Sequence, residues 1–231
     1  MRILGLDVST CTGYAFWDTS RNISSIQADV IELPPPRELP NGKKDYSWDD
    51  WRVAQVGPKI VKLIRQIGPD FILCEERLRF SKKGDGAFAF TQAIHGAIYG
   101  HCCSFGIPFG TIPISSWRAL AYGKGFKPAV EPVLDAYGNQ KLDDKTGKPK
   151  FKTQDWGDIA VEKCESLGIV LPQKKATSHN AAESALIAML WRCHSRISVP
   201  GDKNREKYLS LLQKPNGSSV ERNIPRQEVA A

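Results

Sequence analysis

The chain has 231 residues, 41% of them hydrophobic and 25% charged, with a formal net charge of +7. That composition belongs to an ordinary globular protein, long enough for one full core with insertions or for two small ones. No apolar run approaches the roughly 20 residues that cross a bilayer, and Asp7 interrupts the N-terminal apolar segment, so neither a membrane span nor a secretory leader is expected.

The positive balance favours a polyanionic partner. The cysteines at 11, 74, 102, 103, 164 and 193 make no Cys-x-x-Cys pair. A zinc ribbon is therefore not expected, and reduced thiols point to a cytoplasmic protein.

Residues 2–8 form a first short apolar run, followed by a Ser9-Thr10-Cys11-Thr12-Gly13 turn. Strands over 14–18 and 26–33 then complete a meander. Pro34-Pro35-Pro36 opens a polar loop that lasts to Tyr46. A helix capped by Ser47, with Asp49 and Asp50 in its first turn, carries Val53, Val56, Ile60, Val61 and Ile64 at helical spacing. It stops at Gly68-Pro69, and Pro58 kinks or divides it.

A strand over 71–75 follows, then a basic, glycine-containing loop (81–86). A second helix over 87–105 has Phe90, Ala93, Ile94, Ala97, Ile98 and Tyr99 on its apolar face. Residues 109–114 resemble a fifth strand, and Ser115-Ser116-Trp117-Arg118 opens a short helix ending at Tyr122-Gly123. Trp117 and Trp156 read as packing residues at helix starts.

Residues 126–152 are rich in Lys, Gly, Pro and Asp, with turns at Tyr137-Gly138-Asn139 and Thr146-Gly147-Lys148-Pro149. They are expected to be an inserted basic hairpin or loop. A helix over 153–167 ends at Gly168, and a last one starts at Thr177 or Ser178 and continues past Trp191. From 199 to 231 the chain is polar and patternless, which predicts a flexible tail. The result is one α/β domain over 1–198, with a mixed sheet flanked by helices.

Three acids stand out. Asp7 and Glu75 each close an apolar strand, Ile3-Leu4-Gly5-Leu6-Asp7 and Phe71-Ile72-Leu73-Cys74-Glu75. Glu183 lies in the Ala-rich terminal helix. A desolvated carboxylate takes up a proton unless something compensates its charge, and a divalent cation is one such compensator. Simpler readings exist for each: Asp7 as a turn cap, Glu183 as a surface residue. Glu75 competes with Glu76, which alternation sends to the opposite face. His95, His101 and His194 read as structural.

Basic residues flank the acids. Arg77, Arg79, Lys82 and Lys83 follow the Glu75 strand, Lys124, Lys127, Lys141, Lys145, Lys148, Lys150 and Lys152 surround the turn-rich segment, and Lys174 and Lys175 precede the third acid. These are candidate phosphate contacts.

In this order of elements, residues 3–15 resemble the opening of RuvC-type Holliday-junction resolvases, members of the RNase H-like superfamily. Leu73-Cys74-Glu75-Glu76-Arg77 is similar to the family's second acidic motif, and the basic loop and small-residue helix after it match the family's layout. Leu120-Ala121-Tyr122-Gly123-Lys124-Gly125 resembles its Gly-x-Gly turn. Asn180-Ala181-Ala182-Glu183-Ser184-Ala185-Leu186 resembles its final motif. That motif ordinarily carries two Asp three residues apart; here Glu183 replaces one and Asn180 the other. The resemblance covers about residues 1–195 without the insertion.

It implies an RNase H-like fold with a five-stranded sheet, and a homodimeric endodeoxyribonuclease acting on four-way junctions. It implies two Mg²⁺ ions, replaceable by Mn²⁺, on Asp7, Glu75 and Glu183. The fourth position falls to His179 or Asn180, both able to share a helix face with Glu183. Leu78 and Phe80 lie where the family wedges into a junction, and Ala93, Gly96, Ala97 and Gly100 where it dimerises. A nucleoid-associated protein of cellular, viral or mobile-element origin fits the resemblance. A resolvase-like domain that binds without cutting is the alternative. Sugar kinases and actin-like ATPases share the Gly-Leu-Asp-Val-Ser-Thr strand, but they need two such domains.

Overall fold

The computed structural model describes residues 1–77, 85–135, 137–143 and 146–214, apart from the side chains of 85–87 and 176. Strands β1 (Arg2–Asp7), β2 (Cys11–Asp18) and β3 (Gln27–Glu32) form the antiparallel meander. Strands β4 (Phe71–Glu75) and β5 (Phe109–Ile112) add in parallel, giving the order β3-β2-β1-β4-β5. This is a mixed five-stranded α/β sheet with β1 at its centre.

Alternation along the strands builds two cores. Leu4, Leu6, Ile72 and Cys74 face α2 (Val56–Ile67) and α3 (Asp85–Ser104), meeting Ile60, Ile64, Ile94 and Ile98. Ile3, Ala15, Phe71 and Leu73 face the other way. They meet α5 (Trp156–Ser166), α6 (Lys175–Met189) and Trp117 of α4 (Ile114–Tyr122).

Helix α6 lies unusually close to the sheet because two glycines receive it. A Cβ on Gly5 would collide with Ser184 O and Ala188 N; one on Gly13 would collide with the Asn180 carbonyl. Gly13 is the register partner of Asp7. The helix therefore crosses the sheet where the first acid stands.

Several boundaries differ from expectation. The first helix is two: α1 (Tyr46–Ala54) and α2. The break falls at Gln55, so Pro58 occupies the first turn of α2, where its missing N–H costs nothing. Asp45, not Ser47, caps α1, accepting from Trp48 N at 3.2 Å, while Ser47 Oγ donates to Asp45. Helix α6 begins before Thr177 and ends at Met189, short of Trp191.

The insertion contains β6 (Val130–Pro132) paired antiparallel with β7 (Phe151–Thr153). Isolated bridges Leu134–Gln140 and Leu142–Pro149 extend it.

The expected tail begins with structure instead. Ser198 exchanges both backbone hydrogen bonds with Thr111 at 2.8 Å, and α7 (Asp202–Leu212) follows. Tyr208 stacks on Phe71 with centroids 4.6 Å apart and donates its hydroxyl to Trp191 O. Asn204 bonds both the N–H and the C=O of Phe109. Two apolar anchors and one amide suffice to dock this helix, too few to register as a hydrophobic pattern. Residues 215–231, Leu78, Arg79, Phe80, Lys82, Lys83 and Lys145 lie outside the described residues.

Because backbone rather than a flexible side chain fills the space over Gly5, Gly5→Ala is expected to cost roughly 1–3 kcal/mol. Chemical denaturation should register that loss, with the thermal midpoint falling about 2–4 °C per kcal/mol. An unchanged midpoint would mean that α6 does not sit this close.

Candidate functional site

The register sets the first two acids side by side. Leu6 pairs with Cys74, so Asp7 and Glu75 are the next residues on neighbouring parallel strands, and both turn toward α6. Glu76 turns the other way, its charge falling on Tyr99 of α3. The α6 approach then delivers Glu183 to the same place.

Three carboxylates here repel one another in a dry setting. Asp7 is only 6% exposed. Its pKa lies well above the ordinary carboxylate range, chiefly through burial, then through Glu183 and Glu75, against a smaller opposing effect of Arg118. Burial also raises Glu75 and Glu183.

Two residues of α4 hold the outer acids. Trp117, fully buried, donates Nε1–H to Glu75 Oε2 at 2.7 Å. Arg118 donates from Nη2 to Glu183 Oε1 at 3.3 Å, its guanidinium centre 4.2 Å from the Trp156 ring and 5.2 Å from Trp117. Sequence reasoning took both indoles for packing residues and passed over Arg118. An arginine directly after a strand-capping helix start, between two tryptophans in sequence, was the available signal.

Arg118 Nε and Tyr122 Oη are buried with no hydrogen-bond partner among the described residues. Orphaned donors beside crowded carboxylates leave room for both signs of ligand: a cation for the acids, an anion or water for the donors.

The candidates for the fourth position have other partners. His179 Nε2 lies 2.8 Å from Asp158 Oδ1, and its Nδ1 lies 3.8 Å from Asp155 Oδ1. Gly157 makes room for the ring, since a Cβ there would strike it. The imidazole therefore faces the start of α5. Asn180 bonds the Cys11 thiol through its side chain.

Among the described residues no group of three or more His, Cys, Asp or Glu is arranged to hold a metal ion. The acids suit a hard cation in charge and donor type. In geometry, Trp117 and Arg118 hold two of them in other contacts.

The expected phosphate contacts are exposed where described. Arg77 bonds Gln92 at 3.2 Å, Lys174 lies 3.6 Å from Glu32, and Lys175 lies 2.8 Å from Asp158. Lys124 and Lys127 follow α4 on the surface.

The chain matches a structure of Thermus thermophilus RuvC at 12% identity, over 86% of this chain and 99% of that one, with a TM-score of 0.51. The T. thermophilus RuvC complex with a Holliday junction substrate matches at 14% identity, over the same shares, with a TM-score of 0.52. The fold is that of RuvC. The yeast mitochondrial Holliday junction resolvase Ydc2 gives 13% identity over 91% of this chain and 80% of its own, with a TM-score of 0.45. No protein-family model and no curated protein matches the sequence. The RuvC-like fold is thus RNase H-like. Among the described residues no helix is long and apolar enough to cross a membrane.

Asp7 holds its proton to higher pH when folded than when unfolded, so folding takes up protons. Stability should fall as pH rises from the ordinary carboxylate range through the raised value. Asp7→Asn removes this penalty. In chelator it should melt above the wild type at pH 7, and the gap should close below about pH 4, where unfolded aspartate is also protonated. Differential scanning calorimetry at both pH values checks this; an equal or lower midpoint at pH 7 would contradict it.

Proposed function

We propose that this protein is a metal-dependent, structure-selective endodeoxyribonuclease that resolves Holliday junctions or related branched DNA by hydrolysing phosphodiester bonds. One observation carries the reading: three mutually repelling carboxylates, Asp7 buried and Glu75 and Glu183 half-buried, come together from β1, β4 and α6 at one end of a RuvC-like sheet. Such crowding is costly without a cation.

Asp7, Glu75 and Glu183 would hold Mg²⁺, or Mn²⁺ in its place. The bound cation would supply activation of water at neutral pH and stabilisation of the leaving oxygen. Asp7 would offer its carboxylate from the end of the central strand. Trp117 takes one oxygen of Glu75 and leaves the other for the ligand. Arg118 restrains Glu183 and offsets the repulsion among the acids.

To join, His179 would give up Asp158 and Asn180 would give up the Cys11 thiol. Arg77, Lys124, Lys127, Lys174 and Lys175 would meet phosphates. Their present partners are surface pairs worth little, so exchange for a phosphate is inexpensive. T. thermophilus RuvC has been seen with a Holliday junction substrate, and the same substrate class is proposed here. Ala93, Gly96 and Gly100 lie on the exposed side of α3, the surface on which a homodimer is proposed.

A second reading is a protein that binds junctions without cutting them. It is favoured by the lack, among the described residues, of acids arranged as a metal cage.

Synthetic four-way junctions with titrated Mg²⁺ or Mn²⁺ separate the two. Wild type should cut, and Asp7→Asn should not, with junction affinity near that of the wild type. Affinity should fall linearly in log–log form with salt, since phosphates dominate binding. Undiminished cleavage by Asp7→Asn would remove the assigned site; binding without any cleavage by wild type would leave the second reading.

A further inference from the structure

The insertion joins the carboxylate cluster through a group of tilted ring contacts. Phe126, at its start, lies 5.3 Å from Tyr122 and 5.9 Å from Trp156, centroid to centroid, and Trp156 follows its far end. Trp156 also stacks under the Arg118 guanidinium that contacts Glu183. Both ends of the hairpin are therefore tied to a side chain that holds one of the acids.

Its outer part is unusually apolar for a surface. Tyr137 is 89% exposed, Val130 59%, Phe151 57%, Leu134 54% and Leu142 53%. Tyr137 stands on a built turn. Asp135 Oδ1 accepts from Tyr137 N at 2.8 Å and Asn139 N at 2.9 Å, and Gly138 adopts φ 83°. The exposed ring is thus carried on backbone whose flanking N–H groups are held by the Asp135 carboxylate.

Lysines alternate with these side chains. Lys141, Lys148, Lys150 and Lys152 are exposed, and Glu131 is paired in register with Lys152. The carboxylates of Asp135 and Asp143 are taken up by their own turns. Protein–protein interface cores are depleted in lysine. Aromatic rings among lysines instead suit nucleic acid, where rings stack on bases and ammonium groups meet phosphates.

We propose that the 126–153 hairpin is a base-stacking arm for the unpaired nucleotides at a DNA branch, with Tyr137 as the stacking ring. The arm rests on the nuclease reading, since it presents the branch to the acids through Phe126, Trp156 and Arg118.

The test uses the full chain and four-way junctions carrying 2-aminopurine at successive positions from the crossover. Wild type should alter fluorescence at a branch-proximal position. Tyr137→Ala should abolish that response and weaken junction binding about 5- to 100-fold at fixed salt, with Tyr137→Phe retaining both. The salt slope should not change, because no phosphate contact is lost. Plain duplex should bind both proteins equally.

A fluorescence response and affinity unchanged in Tyr137→Ala would overturn the arm while leaving the nuclease reading intact. So would an equal loss on plain duplex, or a change only in the self-association of the free protein. Failure of wild type to bind any junction would overturn both.

Discussion

The close seating of α6 on the first two strands is the constraint from which the site follows. Gly5 and Gly13 are points of β1 and β2 where the helix backbone meets the sheet without an intervening side chain. A helix held off by one methyl group at each would carry Glu183 away from Asp7. The small residues Ala181, Ala182, Ser184, Ala185 and Ala188, all buried, continue the same logic from the helix side. Backbone proximity here does the positioning that longer side chains would do with less accuracy.

Proximity creates an electrostatic problem that α4 partly solves. Three acids share a poorly hydrated corner, and burial raises all of them. Trp117 answers with a neutral donor to Glu75, and Arg118 with a charge to Glu183. An arginine suits the task, since its planar head can stack between two indoles and stay charged at any relevant pH. The arrangement is a restrained, cation-seeking cluster rather than a finished cage.

Much of this was legible in the amino-acid sequence, for identifiable reasons. Asp7 and Glu75 end apolar runs, so period-two alternation and a parallel register were enough to place them together. Glu183 was legible from its Ala-rich surroundings. The roles of Trp117 and Arg118 were not, because a residue on a short helix after β5 reaches the site only through tertiary packing. His179 was one of two candidates for the fourth position by family resemblance and helical spacing; its contact with Asp158, in the recess that Gly157 opens on α5, was not legible. The helix α7 escaped notice because its docking depends on one amide and two apolar side chains, not on a stripe.

That amide has a bearing on how copies of the molecule can meet. Asn204 occupies the hydrogen-bonding groups of Phe109, and Ser198 occupies those of Thr111, so the β5 margin is already closed by the chain itself. A polar side chain thereby stands in for a sixth strand and shields an edge that would otherwise template aggregation. Association through that margin is blocked, leaving helical surfaces or the opposite border at β3 as the routes by which one sheet can approach another.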